Sequence, residues 1–340
     1  MIGKAPRCAA DVTPVRTPES IRRTMTIDTT WPGADPGAAH VVGRARDLLT
    51  PSDGSAPIVR AEDGFVATIG GDRTIRAIET DPPRAAAFRL VGERGGGHLR
   101  KVIGEVMPEE LQGATPLYLL LDDISGASLV AGWAWSQWRD DWFSARNPQM
   151  NEADLAAMMA SRAGVCVGFA PGGTALTHAP GAGSAEGTPV PDLRNPADPH
   201  GWHAFADQAG AVGMRRARRI DVTREKGAIR IDSHFQDSAS HAAGGRRGLH
   251  EYRLSATADP ATMRLTGIFA DPRILPFPEC PSATINLQQL VGARMADLRQ
   301  LVLEKLRGTE GCTHLNDVVR ALAEVPALVA CLEERLGARV

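Results

Sequence analysis

The same series of blocks occurs twice along the chain, and a chain that repeats a scaffold folds as similar units that pack on one another. RRTMTID begins at Arg22 and RRARRID at Arg215. FRLVGERGGGHLRKVIGEVM, from Phe88, parallels QQLVGARMADLRQLVLEKL, from Gln288. LQGATPLYLLLDD, from Leu111, parallels LRGTEGCTHLNDV, from Leu306. The blocks keep their order at an offset of about 193 to 200 residues. A chain of 340 residues has room for two ordinary units of this kind.

The second copy reads clearly. RRIDV and AIRIDSHF flank REKG, a turn-former between two strands. HEYRLSATAD alternates with period two, placing His250, Tyr252 and Leu254 on one face and Glu251, Arg253 and Ser255 on the other. MRLTGIFA is a further strand, after a turn at Pro260. PSATINLQQLVG reads as a short helix, with Pro281 at its start and Gly292 just past its end. ARMADLRQLVLEKLRG, VVRALAEV and PALVACLEERLG follow as helices. Strands first and helices second predict α+β: two tandem pseudo-repeats, each an antiparallel sheet followed by helices packed on one face. The division is a loose N-terminal extension over 1–20 and a first pseudo-repeat over 21–145. A helix and Gly/Pro-rich connection follows over 146–213, then the second pseudo-repeat over 214–340. Four tryptophans of WAWSQWRDDWF, Trp133, Trp135, Trp138 and Trp142, are expected to pack where the halves meet.

The formal charge of -2 provides no basic field for nucleic acid or an anionic membrane. No apolar run is long enough to span a bilayer, and MIGKAPRCAADVTPVRTPES lacks the apolar core of a signal peptide. Five cysteines in a chain of this length are not a disulfide framework. The expectation is a cytoplasmic protein with reduced thiols, acting on a small molecule, with no nucleic-acid or membrane partner and with its oligomeric state left open.

Two of those thiols occupy special places. Cys280 precedes Pro281 at the start of one helix, and Cys312 precedes another. A helix N-terminus carries partial positive charge and unpaired N–H groups, which favour thiolate, the form that attacks electrophiles and binds metals. His250 projects toward the core beside Tyr252, and a buried imidazole needs a partner. His314 stands two residues beyond Cys312. A metal set of Cys280, Cys312 and His250 follows, with His314 as a fourth ligand or acid/base and Asp317 orienting it. The first copy has Leu117, Leu119 and a position near Thr80 where the second has Cys312, His314 and Cys280. Packing alone therefore does not call for the second set. Cys8, Cys166 and Cys331 read as inert.

DPHGWH, with Asp198, His200 and His203, reads as a cap on the connection anchored by Trp202, or else as a substrate contact. Asp237 parallels Asp47 and reads as an architectural partner for an arginine of RRIDV. RRARR and GGRRG can hold an anionic substrate, or form a solvated edge strand.

MRRARRIDV, HEYRLSATAD, ADPRILPFPECPSATINLQQLVG and GCTHLND together resemble a bacterial family known only as a domain of unknown function, over nearly the whole chain from Arg22. The layout of the second half is also similar to the NifU/IscU-type iron–sulfur scaffold proteins and their zinc-binding relatives. That resemblance implies a small antiparallel sheet, a cysteine opening a helix of small residues (Cys280) and a last cysteine before a C-terminal helix (Cys312). Where the scaffold's first cysteine is expected the chain reads RRGLHEY, with no thiol. Two sulfurs and one or two imidazoles suit Zn2+ better than an iron–sulfur cluster. The leading expectation is a zinc-dependent enzyme doing Lewis-acid hydration, hydrolysis or carbon–carbon lyase chemistry on a small carboxylate or acyl-CoA-type substrate. The alternative is a non-enzymatic iron–sulfur or sulfur carrier. A metal-free cysteine enzyme and an inert structural zinc module are further readings.

Overall fold

The computed structural model describes residues 4–33, 37–177, 186–208 and 210–337. Nine strands form one sheet: β1 Ser20–Thr30, β2 Ala39–Thr50, β3 Ile58–Ile69, β4 Ile75–Asp81, β5 Thr188–Val190, β6 Gly213–Glu225, β7 Ala228–Ser240, β8 Arg246–Ala258 and β9 Leu265–Ile274. All pairings are antiparallel, in the order β4-β3-β2-β1-β6-β7-β8, with β9 and the short β5 both against β8. The two-residue turn Lys226-Gly227 joins β6 to β7, and Gly227 takes the positive φ of 79° that such a turn requires. Each group of four long strands is followed by helical segments, so the mixed α and β content and the antiparallel sheet are as expected.

The sheet is continuous because β1 pairs with β6, and the repeated motifs meet there head to tail. Arg22 lies opposite Asp221 and Asp28 opposite Arg215. Both pairs are ionic: Arg22 donates to Asp221 at 2.5 and 2.8 Å, and Arg215 to Asp28 at 2.6 Å. RRARR therefore occupies a central strand, not a solvated edge. Arg22, Arg216, Arg218 and Arg219 are among the largest fully buried side chains.

Period-two alternation sends these arginines to opposite faces. On one face pack the helices, α1 Gly97–Val106, α2 Pro116–Val130, α3 Leu298–Lys305, α4 Thr313–Arg320 and α5 Val325–Gly337, over Ile21, Met25, Ile27, Ile220, Phe235 and Tyr252. Trp133 and Trp135 are buried in this core, and Trp135 meets Trp31 edge-on at 5.5 Å. The opposite face is covered by irregular chain. Trp202, Leu193 and Phe205 pack on Ala217, and Trp202 donates to Thr13 Oγ1 at 2.9 Å. Asp198 receives Arg16, and His203 sits between Thr24 Oγ1 and Thr26 Oγ1, each at 2.9 Å. DPHGWH is thus an ordered cap on the sheet. The described part of the N-terminal segment crosses the same face, with Ala10 N–H donating to Glu251 at 2.8 Å. Part of the Gly/Pro-rich connection, residues 178–185 and 209, lies outside the described residues.

Candidate metal centre

Asp237 and His250 are direct cross-strand partners in the β7–β8 pairing, and both side chains point to the helix face. Helix α4 lies over β8, and its first turn brings His314 onto the same spot. Nδ1 of His250 is 3.3 Å from Asp237 Oδ2, and Nε2 of His314 is 3.9 Å from that oxygen. The two imidazoles stack, with centroids 3.5 Å apart and planes inclined by 20°. One ligand atom from each of the three residues lies within 4.8 Å of the others, and among the described residues no other set of three does so. Arg216 grips Asp237 from behind with two hydrogen bonds, 2.9 and 3.0 Å.

Burial and neighbouring charge set the protonation of this group. Burial works against the Asp237 carboxylate, but Arg216 and the His250 hydrogen bond outweigh it and hold the acid well below the usual range. Burial pushes both imidazoles down, further for His314 because His250 is beside it. The site at neutral pH is one carboxylate and two neutral rings, which is the form that binds metal. Nε2 of His314 is buried and has no hydrogen-bond partner, an uncompensated polar atom aimed at Asp237 and His250.

The thiols form a neighbouring group one pleat along β8. Tyr252, two residues from His250 on the same face, donates its hydroxyl to Cys312 Sγ at 3.5 Å. Cys312 is the residue before α4, as expected, and Cys280 opens a 3-10 segment, Cys280–Leu290, in place of an α-helix. Both are buried. The expected thiolate activation is not found. Burial raises both thiols, and for Cys280 the nearby Cys312 and Cys166 raise it further, outweighing backbone N–H groups directed at the sulfurs.

The expected residues therefore divide. His250 and His314 meet, with Asp237 as the third member. Cys280 and Cys312 approach each other and Tyr252 but are not in the three-residue set. Asp317 accepts from Arg100 at 2.7 Å and from Arg216 at 3.2 Å, and no hydrogen bond links it to His314. Asp237 does pair with an arginine, Arg216 of the RRARR run, but it also faces both imidazoles. Of the arginines expected to bind an anionic substrate, those of RRARR are taken by internal acids: Arg215 by Asp28, Arg218 by Asp123, Arg219 by Asp221 and Asp232. Of GGRRG, Arg246 donates to Ser238 and Gln208, and Arg247 lines a cleft. Cys166 carried no sequence signal, since it lies in the irregular connection; a methyl group at Gly168 would meet its Sγ at 3.9 Å and that of Cys280 at 3.4 Å.

Comparison with known families places a boundary around this site. Residues 214–328 match a family described as a protein of unknown function, DUF2889. The match takes in about a third of the chain. The match covers β6 to the start of α5 and so includes Arg216, Asp237, His250, Cys280, Cys312 and His314. Cys166 and the first four strands lie outside the DUF2889 segment. No curated protein and no solved structure gives a significant match. Among the described residues, no helix is long and apolar enough to cross a membrane.

Proposed function

We propose that the protein is a metal-dependent enzyme whose ion, zinc by its donor set, is held by Asp237, His250 and His314. The observation that carries this reading is the buried Nε2 of His314, which lacks a partner and faces a carboxylate and a second neutral imidazole. Zn–N and Zn–O bonds of about 2.0–2.2 Å put neighbouring tetrahedral ligand atoms roughly 3.4 Å apart. The 3.3 and 3.9 Å separations at Asp237 Oδ2 are close to that spacing. A divalent ion held by three such ligands supplies Lewis-acid chemistry at its open position, activating water or polarising a carbonyl for hydration, hydrolysis or carbon–carbon cleavage. The chain's own residues prepare the ligands. Arg216 keeps Asp237 ionised and fixes its plane, and His250 would hold the ion through Nδ1, with its proton on Nε2.

A cleft of about 760 Å³ lies beside the N-terminal end of β8, lined by Arg7, Trp138, Arg139, His241 and Arg247 with Asp140 and Glu186. Its arginines and histidine suit a small carboxylate or acyl-CoA-type substrate. We infer also that the halves are tandem copies on a NifU/IscU-like layout. The reciprocal Arg22–Asp221 and Arg215–Asp28 pairs support this, as do the matching bidentate pairs Arg23–Asp47 and Arg216–Asp237. In this reading only the later copy gained ligands.

Elemental analysis tests the metal. His314→Ala is expected to lose one zinc per chain relative to the unsubstituted protein while keeping a cooperative melt. Equal zinc in the two proteins refutes the assignment.

A further inference from the structure

We propose that the cleft beside the N-terminal end of β8 holds a nucleotide phosphate, with Arg247 as its anion anchor and Trp138 as the wall for its base. The proposal rests on the enzyme reading above for the reaction but not for the binding: the substrate is carried on a nucleotide, as an acyl-CoA is, and is not a free small carboxylate. Arg247 is the observation that carries it. The arginines of RRARR are matched by internal acids. Arg247, half-buried, lines the cleft, and its side chain has no hydrogen bond or ion pair among the described residues. A partly desolvated guanidinium without a counter-charge attracts an anion, and its planar fork of N–H groups matches the oxygens of phosphate.

Placement and size narrow the ligand. Arg247 pairs with Ala239 across the β7–β8 ladder, and Ala239 is two residues from Asp237. Residues two apart share a face, so Arg247 lies on the helix face, about 7 Å along the sheet from Asp237. The cleft's volume of about 760 Å³ falls in the range of sites for ligands of drug or nucleotide size, and a small carboxylate would leave most of it to water. Trp138 gives the cleft a rigid apolar side. Its indole N–H donates to Ser240 O at 3.0 Å and to Ser240 Oγ at 3.1 Å, which fixes the plane of a ring on which a base can stack. His241 accepts from Ala243 N–H through Nδ1 at 3.1 Å, so its proton is on Nε2 and is a second donor for phosphate. The exposed Arg139 is already matched by Asp141, which leaves Arg247 the anchor. Asp140 and Glu186 also line the cleft; both are exposed, and carboxylates there accept from ribose hydroxyls and from the amino group of adenine.

Titration calorimetry of the purified chain with ADP, coenzyme A and succinate tests this. Both nucleotides are expected to bind, and succinate is not, over the same concentration range. Arg247→Ala should weaken the nucleotides at least about tenfold, and Arg247→Lys should weaken them less. Coenzyme A binding more tightly than ADP supports a carried acyl group; ADP binding more tightly keeps the nucleotide site and overturns the carried substrate. No binding of either nucleotide at millimolar concentration, succinate binding as tightly as they do, or undiminished binding by Arg247→Ala overturns the site. The titration needs neither metal nor turnover, so a failed zinc assay leaves it standing. If Arg247→Ala fails to fold, the unsubstituted protein decides: ADP should slow modification of Arg247 by phenylglyoxal, followed by mass spectrometry, and an unchanged rate overturns the site.

Discussion

His203 gives the cleanest test of how this fold handles buried polar groups, because it lies on the sheet face opposite the Asp237, His250 and His314 cluster. Its ring is 3% exposed and held between two threonine hydroxyls, with no carboxylate bonded to it. Burial, with a smaller contribution from Arg46, Arg215 and Arg44, drives its pKa from 6.5 down to about 3. The folded protein keeps the ring neutral, while the unfolded chain takes up a proton below pH 6.5. The stabilisation is therefore complete above 6.5 and is lost as pH falls, until the folded form also protonates near 3. Each pH unit inside that window costs about 1.4 kcal/mol, so about 2.7 kcal/mol is gone by pH 4.5. His203→Gln removes the titration and leaves imperfectly paired threonines, a cost of about 1–3 kcal/mol at neutral pH. Urea unfolding at several pH values should show the variant weaker at pH 7.5 and level with the unsubstituted protein near pH 5. Parallel pH curves for the two proteins would refute a neutral, desolvated His203.

Two further substitutions probe the helix face. Gly126→Ala on α2 places a methyl 1.9 Å from Arg216 Nη1 and 2.8 Å from Asp317 Oδ2. Arg216 is held by three carboxylates and cannot step aside, so the melt should fall by about 1–3 kcal/mol or more, and a neutral effect would mean the guanidinium is free to move. Leu117→Met, at the position matching Cys312, changes shape at nearly constant volume and should cost less than about 1.5 kcal/mol in denaturant unfolding. A larger loss would point to a role for Leu117 beyond filling space.

Local pattern carried most of the fold. Alternation in HEYRLSATAD placed His250, Tyr252 and Leu254 on the buried face, and the REKG turn falls where β6 meets β7. The sequence signal failed where a property depends on distant neighbours. Nothing local in RRARRID says that Asp28, Asp123, Asp232 and Asp237 will surround it, so an edge strand was an equally fair reading of a run now found at the sheet's centre. Thiol activation failed for a related reason. A cysteine before a helix feels N–H groups that sequence position reveals, but the burial that outweighs them comes from chain segments distant in sequence that pack around the sulfurs. The partnership of His250 with Asp237 required the β7–β8 register, which contains an irregularity between Asp237 and Ser238, next to the site.

The charges on β6 also bear on the candidate metal centre. A buried ion pair contributes little net stability, and apolar replacements of similar volume are often as good or better. A row of fully buried arginines in the middle of a sheet is thus an expensive way to fill a core. Arg216 acquires a purpose once its neighbours are counted: it faces Asp237 on one side and Asp123 and Asp317 on the other. Asp123 is pushed up by burial, while Asp317, facing Arg100 as well as Arg216, is held down. Arg216 therefore neutralises enough acid for the cluster to remain buried, yet leaves Asp237 ionised against two neutral imidazoles. Replacing it with leucine would leave Asp237 buried without its principal counter-charge, a change of about 3–5 kcal/mol for a broken buried pair. An added divalent cation can supply the missing charge to Arg216→Leu. Zinc should accordingly raise the variant's melting temperature more than it raises that of the unsubstituted protein, and equal shifts in the two would show that Arg216 and the ion do not act on the same carboxylate.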